Sequence, residues 1–249
     1  MQTSALPGPP HDLLDHASLF LDLDGTLVEI ASRPDGIQVD DRLRGILANL
    51  SIALRGRVAI ISGRPAKDIR AFFPGSSFAI AGSHGIEILW PDGRMRQPSD
   101  VPLSQGVLDQ IRHFSAAHPG VLIERKPFGI AFHYRLSPAD EQACHDFARG
   151  LAMNGGFAVQ TGKMVIEVKL LATDKGHAMD CLLASPAMKG TIPVFIGDDD
   201  TDEAGFRRAQ QLGGAGILVG PPRATGARYQ LANVDETLKW LTAAGERCR

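Results

Sequence analysis

Cysteine is in short supply. The 249 residues hold three, Cys144, Cys181 and Cys248, widely spaced and without a C-x-x-C pair. That pattern excludes a disulfide framework and a cysteine zinc site, and it suits a reducing compartment. Long apolar runs are missing as well, since none approaches the ~20 residues a membrane-spanning helix needs. Residues 1–18 lack a basic start followed by an apolar core, so no secretory signal is expected and the chain reads as cytoplasmic. Neither sign of charge dominates. A formal net charge of −2 argues against nucleic acid or an anionic membrane as the main partner, while leaving room for a local basic pocket. With 44% hydrophobic and 22% charged residues, the chain has the balance of a globular protein with one large domain or two small ones.

Two acidic stretches stand out from this background. In Leu19-Phe20-Leu21-Asp22-Leu23-Asp24-Gly25-Thr26-Leu27, a short apolar run ends in a carboxylate and then breaks at Asp24-Gly25-Thr26. A buried strand running into an acidic loop has this form. Alternation places Asp22 and Asp24 on one side of the strand end. Carboxylates that close repel unless a cation or a shared proton offsets them. A hard divalent ion such as Mg²⁺, which takes one or two carboxylates plus substrate phosphate, is the natural offset. An acidic loop capping the next helix is the plainer reading of D-x-D alone; the apolar strand before it and Gly25-Thr26 after it favour the cation. The second stretch, Gly197-Asp198-Asp199-Asp200-Thr201-Asp202-Glu203, follows the apolar run 193–196 and packs five acids into six residues. It calls for a cation for the same reason.

Between them the chain alternates. A helix is expected over 40–54, from the spacing of Leu43, Ile46, Leu47 and Leu50 and an N-cap at Asp40 or Asp41. A buried strand follows over 57–61, ending at Ser62-Gly63-Arg64-Pro65. Strand, helix, strand is the βαβ unit of a parallel sheet, whose ligands bind at the carboxyl ends of the strands. Ser62 offers a hydroxyl and Gly63 an open backbone amide, both suited to phosphate oxygens at a helix start. A third strand over 78–81 leads to His84, a phosphate or sugar contact or else a packed loop histidine. A hairpin is expected around 91–94. From about residue 98 the order becomes α-β-β-α-β-β, an inserted α+β block with charges alternating on its strands: Glu124 with Lys126, His133 with Arg135, Glu167 with Lys169. A solvated sheet face accounts for that alternation; a face that closes over the nucleophile and binds a polyhydroxylated substrate accounts for it too. After the block come a helix opening at Asp174-Lys175-Gly176, the strand before the second acidic stretch, a helix over 204–209, a final strand over 215–219 and a closing helix over 234–241.

The first stretch and Ser62-Gly63-Arg64 resemble the first two motifs of the haloacid dehalogenase-like hydrolases. The resemblance implies that Asp22 is a nucleophile forming an aspartyl-phosphate and that Asp24 is the general acid and base. It also implies that Lys175 binds phosphate and that Mg²⁺ sits on Asp22, Asp24 and Asp198, with Asp202 as ligand or support. The form G-D-D-x-T-D-E, the segments Glu124-x-Lys126 and His133-Tyr134-Arg135, and the run Gly162 to Glu167 are similar to the trehalose-6-phosphate phosphatases, a narrower group. Carried over, Glu124, Lys126, Arg135 and Glu167 would contact the sugar, and Arg64 would lie beside the phosphate loop. Leu170-Leu171, where a proline-containing connection is expected, departs from the pattern.

The expected fold is α/β: a doubly wound parallel-sheet core from residues 1–98 and 172–249, with 1–17 a flexible tail, and an inserted α+β cap from 99–171. The expected activity is Mg²⁺-dependent hydrolysis of trehalose 6-phosphate, a small sugar phosphate. Another sugar phosphate (sucrose phosphate or mannosyl-phosphoglycerate), a non-catalytic sugar-phosphate sensor and a phosphomutase are the alternatives.

Overall fold

The computed structural model describes residues 5–30, 36–96, 104–126, 129–155, 157–162, 164–170 and 174–248. In chain order its elements are β1 (Ala17–Leu21), α1 (Asp41–Ala53), β2 (Val58–Ile61), α2 (Ala66–Phe72), β3 (Ala79–Gly82), β4 (Glu87–Leu89) and β5 (Met95–Arg96). There follow α3 (Gln105–Ala117), β6 (Leu122–Lys126), β7 (Gly129–His133), α4 (Glu141–Gly155), β8 (Phe157–Gly162) and β9 (Val165–Leu170). The chain closes with α5 (Lys175–Leu183), β10 (Ile192–Gly197), α6 (Glu203–Gln211), β11 (Ala215–Val219), β12 (Tyr229–Leu231) and α7 (Val234–Arg247). It divides into two compact units, residues 1–97 with 173–249 and residues 98–172. The expected boundaries fall in segments outside the described residues.

The first unit is built on a sheet ordered β12-β11-β10-β1-β2-β3-β4-β5. Every residue of β1 is buried, as in a strand covered on both faces. It runs parallel to β10 on one side and β2 on the other, so the carboxyl ends of three neighbouring strands point the same way. Helix α1 forms where the spacing predicts it. Asp40 caps it by accepting the Leu43 N–H at 2.8 Å, and Leu43, Ile46, Leu47 and Leu50 are buried against the sheet cluster, each worth about 1.5–3 kcal/mol. Helices α5 and α6 cover the other face through Met179, Leu182 and Phe206. The hairpin pairs β4 with β5 and lies antiparallel beside β3.

Three expectations need correction. Within the described residues 5–17, the segment expected to fray is packed: the Leu6 N–H donates to Gln230, the Trp240 indole donates to the Pro9 carbonyl, and Leu14 is fully buried. Its prolines act as an extended edge against β12 and α7. Strand β11 is not the last, because β12 pairs parallel with it; three residues with one buried side chain give too short an alternation to read. Helix α7 runs on to Arg247 because Ala244 and Gly245 remain buried. The sequence Arg33-Pro34-Asp35-Gly36 predicts a turn, of which only Gly36 lies within the described residues.

The second unit is a four-stranded antiparallel sheet ordered β6-β7-β9-β8. One face packs Ile130, Phe132, Ile166 and Val168 against Ile111 and Phe114 of α3 and Cys144, Ala148 and Leu151 of α4. The two αββ halves place β7 and β9 side by side at the centre. Arg135 is corrected here: β7 ends at His133, and Arg135 sits in an exposed turn. Buried Tyr134, whose hydroxyl donates to Glu141, draws the chain out of the strand.

Among the described residues no helix is long and apolar enough to cross a membrane.

Candidate active site

β1 runs into Asp22, β2 into Ser62 and β10 into Asp198, so register alone gathers two carboxylates and a hydroxyl at one edge of the sheet. Lys175, the first residue of α5, completes the set. A cation at a helix N-terminus opposes the helix dipole, so burying one there needs strong compensation. Two carboxylates supply it: the Lys175 ammonium donates to Asp22 Oδ1 and to Asp202 Oδ1, both at 2.6 Å. The three side chains are 4%, 6% and 0% exposed. Burial would lower the Lys175 pKa, but Asp22 and Asp202 hold it above its ordinary value.

Asp22, Asp198 and Asp202 each offer an oxygen within 4.8 Å of the others. Against these three carboxylates Lys175 supplies one positive charge. Asp22 is pushed up to about 6, chiefly by burial, with Lys175 acting against the rise. Asp198 is raised to about 6 by burial and by Asp202 and Asp199. Asp202 reaches about 7 through burial and Asp22. A net-negative, all-oxygen set of this kind fits a hard divalent cation.

The glycines flanking the cluster are required by space. Gly25 has φ +87°, and a Cβ there would fall 2.1 Å from an Asp198 carboxylate oxygen. A Cβ on Gly197 would meet the Asp202 carboxylate at 2.2 Å. The Thr26 hydroxyl donates to Asp198 Oδ1 at 3.2 Å and completes its seat.

The second acidic stretch resolves into separate tasks, with Asp198 and Asp202 in the carboxylate cluster and the other three acids elsewhere. Asp199 accepts the N–H groups of Thr201 and Asp202 while Asp202 Oδ2 accepts the Asp199 N–H, a reciprocal capping box. Asp202 Oδ2 also takes the Asp198 N–H at 2.9 Å. Glu203 accepts from Arg223 at 2.6 Å, the Thr225 hydroxyl at 2.7 Å and the Gly226 N–H at 2.7 Å. Burial alone would raise its carboxyl; these donors hold it below the usual range. Asp200 is exposed, 3.4 Å from Arg223. Sequence reasoning missed Arg223, since nothing in its Pro221-Pro222-Arg223 context signals a partner 20 residues upstream.

Asp24 and Arg64, 40 positions apart, form a bidentate pair through Nε and a terminal nitrogen, both at 2.7 Å. Ser62 is buried, and its hydroxyl oxygen accepts the Arg64 N–H at 3.2 Å, which leaves the hydroxyl proton to donate. The His84 imidazole packs over Gly63, where a Cβ would come 2.8 Å from Nε2. Ser83 and His84 adopt φ of +50° and +56°, in the left-handed region where side chains are strained.

In the second unit, Glu124, Ala131, Glu167 and Gln160 stand in one row across the sheet, on the face away from the apolar cluster. Glu124 bonds His133 Nε2 at 2.8 Å. The backbone of Lys126 lies one row over, opposite Gly129; its side chain lies outside what is described. Gln160 joins this row unforeseen, although the alternation Ala158, Gln160, Gly162 carries it there.

A family profile described as Trehalose-phosphatase matches residues 20–235. The probable trehalose-phosphate phosphatase of Sinorhizobium fredii is 37% identical over 211 residues, 84% of this chain and 80% of the relative. The trehalose-6-phosphate phosphatase of Escherichia coli is 35% identical over 226 residues, 89% of this chain and 84% of that one. The chain belongs to the trehalose-phosphatase family. A crystal structure of Aspergillus fumigatus trehalose-6-phosphate phosphatase, at 24% identity, superposes with a TM-score of 0.77 over 98% of this chain and 100% of that one; that likeness is one of fold. A haloacid dehalogenase-like hydrolase from Bacteroides thetaiotaomicron, at 18% identity, shares the fold with a TM-score of 0.66 over 92% of this chain and 98% of that one. The trehalose-phosphatase match runs through both units, so it takes in Asp22, Ser62, Lys175 and Asp198 as well as Glu124 and Glu167.

Proposed function

We propose that the chain hydrolyses trehalose 6-phosphate to trehalose and phosphate. The observation that carries the reading is the buried Asp22–Lys175–Asp202 triad beside Asp198, in a member of the trehalose-phosphatase family. Asp22 attacks phosphorus in line, and the bond to the sugar oxygen breaks as Asp24 gives that oxygen a proton. Water then attacks the aspartyl-phosphate, Asp24 takes its proton, and the bond to Asp22 breaks to release phosphate. Lys175 offsets the charge of Asp22 as the phosphoryl group arrives. The Ser62 hydroxyl and the Gly63 amide bind phosphate oxygens. Both Asp24 oxygens are taken by Arg64, so proton transfer requires Asp24 to turn from that pair, and Arg64 is left beside the phosphate. Mg²⁺ would be held by the carboxylates of Asp22 and Asp198 and the Asp24 carbonyl, with Asp202 in support; when bound, it screens the attacking carboxylate and the phosphate from one another.

The charged face of the second unit reads the sugar hydroxyls through Glu124, Lys126 and Glu167, with Arg135 reaching in from its turn. That unit, residues 99–171, is a substrate-recognition cap in this reading. The test is phosphate release from a panel of sugar phosphates with and without Mg²⁺. Release from trehalose 6-phosphate well above the rest supports the assignment; preference for another sugar phosphate overturns it.

A further inference from the structure

Arg223 lies in the loop between β11 and β12 and reaches across to the second acidic stretch. Its guanidinium donates to Glu203 Oε1 at 2.6 Å, to the Asp199 carbonyl at 2.8 Å, to the Ala224 carbonyl at 3.1 Å and to the Asp198 carbonyl at 3.4 Å. Its Nε is the one buried side-chain nitrogen or oxygen without a partner among the described residues. A buried N–H left unpaired costs stability, so the other two nitrogens hold the side chain in place.

Two of these contacts fall on consecutive carbonyls of the acidic stretch, Asp199 at 2.8 Å and Asp198 at 3.4 Å. The peptide unit between Asp198 and Asp199 has its N–H held by Asp202 Oδ2 at 3.0 Å and its carbonyl held by Arg223. Thr26 then fixes the Asp198 carboxylate itself. Glu203, anchored by Thr225 and Gly226, fixes the guanidinium in turn. We propose that Arg223 is a positioning residue for the divalent cation: by clamping the Asp198–Asp199 backbone it aims the Asp198 carboxylate at the ion. The proposal rests on the reading of Asp198 as a cation ligand. It also assigns the 220–226 loop, which carries no acid, to the cation site. The planar five-donor fork suits the task, because an ammonium is a point donor that cannot span a carboxylate and two carbonyls together.

The test uses the full chain, with Mg²⁺ as the probe. Arg223→Ala and Arg223→Lys are titrated with Mg²⁺ by calorimetry and by thermal shift without substrate, and by phosphate release with it. The half-saturating Mg²⁺ concentration should rise about 10- to 100-fold in both, as for other groups that orient a metal ligand, with turnover recovering at high Mg²⁺. Arg70→Ala, which removes a half-buried guanidinium bonded to Ser76, controls for general destabilisation and should leave the Mg²⁺ titration unchanged. Should Arg223→Ala be too unstable to purify, Arg223→Lys keeps the charge beside Glu203 and carries the same test. A wild-type Mg²⁺ titration in either folded variant overturns the clamp. A wild-type chain indifferent to Mg²⁺ overturns the cation reading beneath it, and the clamp with it.

Discussion

At the scale of single residues, the proposed function rests on Asp22 as nucleophile and cation ligand. An amide is neither an anionic nucleophile nor an equal metal ligand, so Asp22→Asn should lose phosphate release by at least ~10³-fold. The variant should still fold, because Asp202 keeps a carboxylate on the buried Lys175 ammonium, although with a lowered melting temperature. Gly25 allows a second residue-scale test. A side chain at φ +87° is strained, and its Cβ would occupy the space of the Asp198 carboxylate. Gly25→Ala should therefore cost more than about 1 kcal/mol of stability and weaken the response to Mg²⁺; an unchanged response would show that Asp198 is not at the cation. The places of Asp22, Asp24, Ser62 and Asp198 after apolar strands, and of Lys175 at a helix start, are legible in the sequence; a role for Lys175 is what the family resemblance implies. Arg223 and the Asp24–Arg64 pair are not legible there, since both depend on how far a guanidinium reaches across folded loops.

At the scale of elements, the acidic stretch after β10 and the start of α5 form one electrostatic unit. Carboxyls ordinarily near 3.8 are raised to about 6 at Asp22 and Asp198 and about 7 at Asp202. At these three carboxyls the metal-free folded chain thus binds more protons than the unfolded chain between about pH 4 and 7, and their contribution to stability falls as pH rises through that window. In the proposed function Mg²⁺ would take the place of those protons, so it should stabilise strongly at pH 7.5 and little at pH 5. Melting curves at both pH values, with and without Mg²⁺, check this, and Asp198→Asn should flatten the difference. Equal Mg²⁺ shifts at the two pH values would contradict it. The long apolar elements β1, α1, β2 and β10 were readable from periodicity. The short β12, the packing of residues 6–14 and the early end of β7 were decided by tertiary contacts that leave no local pattern. In the acidic stretch the pattern marks a cation site, while the cap at Asp199 and the Arg223 contacts of Asp200 and Glu203 depend on folded loops.

For the molecule as a whole, the account assigns chemistry to one unit and recognition to the other. Alanine at Glu124, Lys126 or Glu167 should lower kcat/KM for trehalose 6-phosphate about 10- to 150-fold, the worth of a charged hydrogen bond at roughly 1.5–3 kcal/mol. The same variants should hydrolyse p-nitrophenyl phosphate nearly as well as wild type, because the Asp22 site is untouched. Loss on both substrates would point to damage in the first unit, and loss on neither would make the charged face a solvated one. The central claim meets its most direct test in phosphate release from trehalose 6-phosphate by wild type and Asp22→Asn, each assayed in Mg²⁺ and in excess chelator. The account predicts rapid release by wild type in Mg²⁺ alone and background rates in the other three conditions. Equal release by Asp22→Asn, or full wild-type release in chelator, would contradict it.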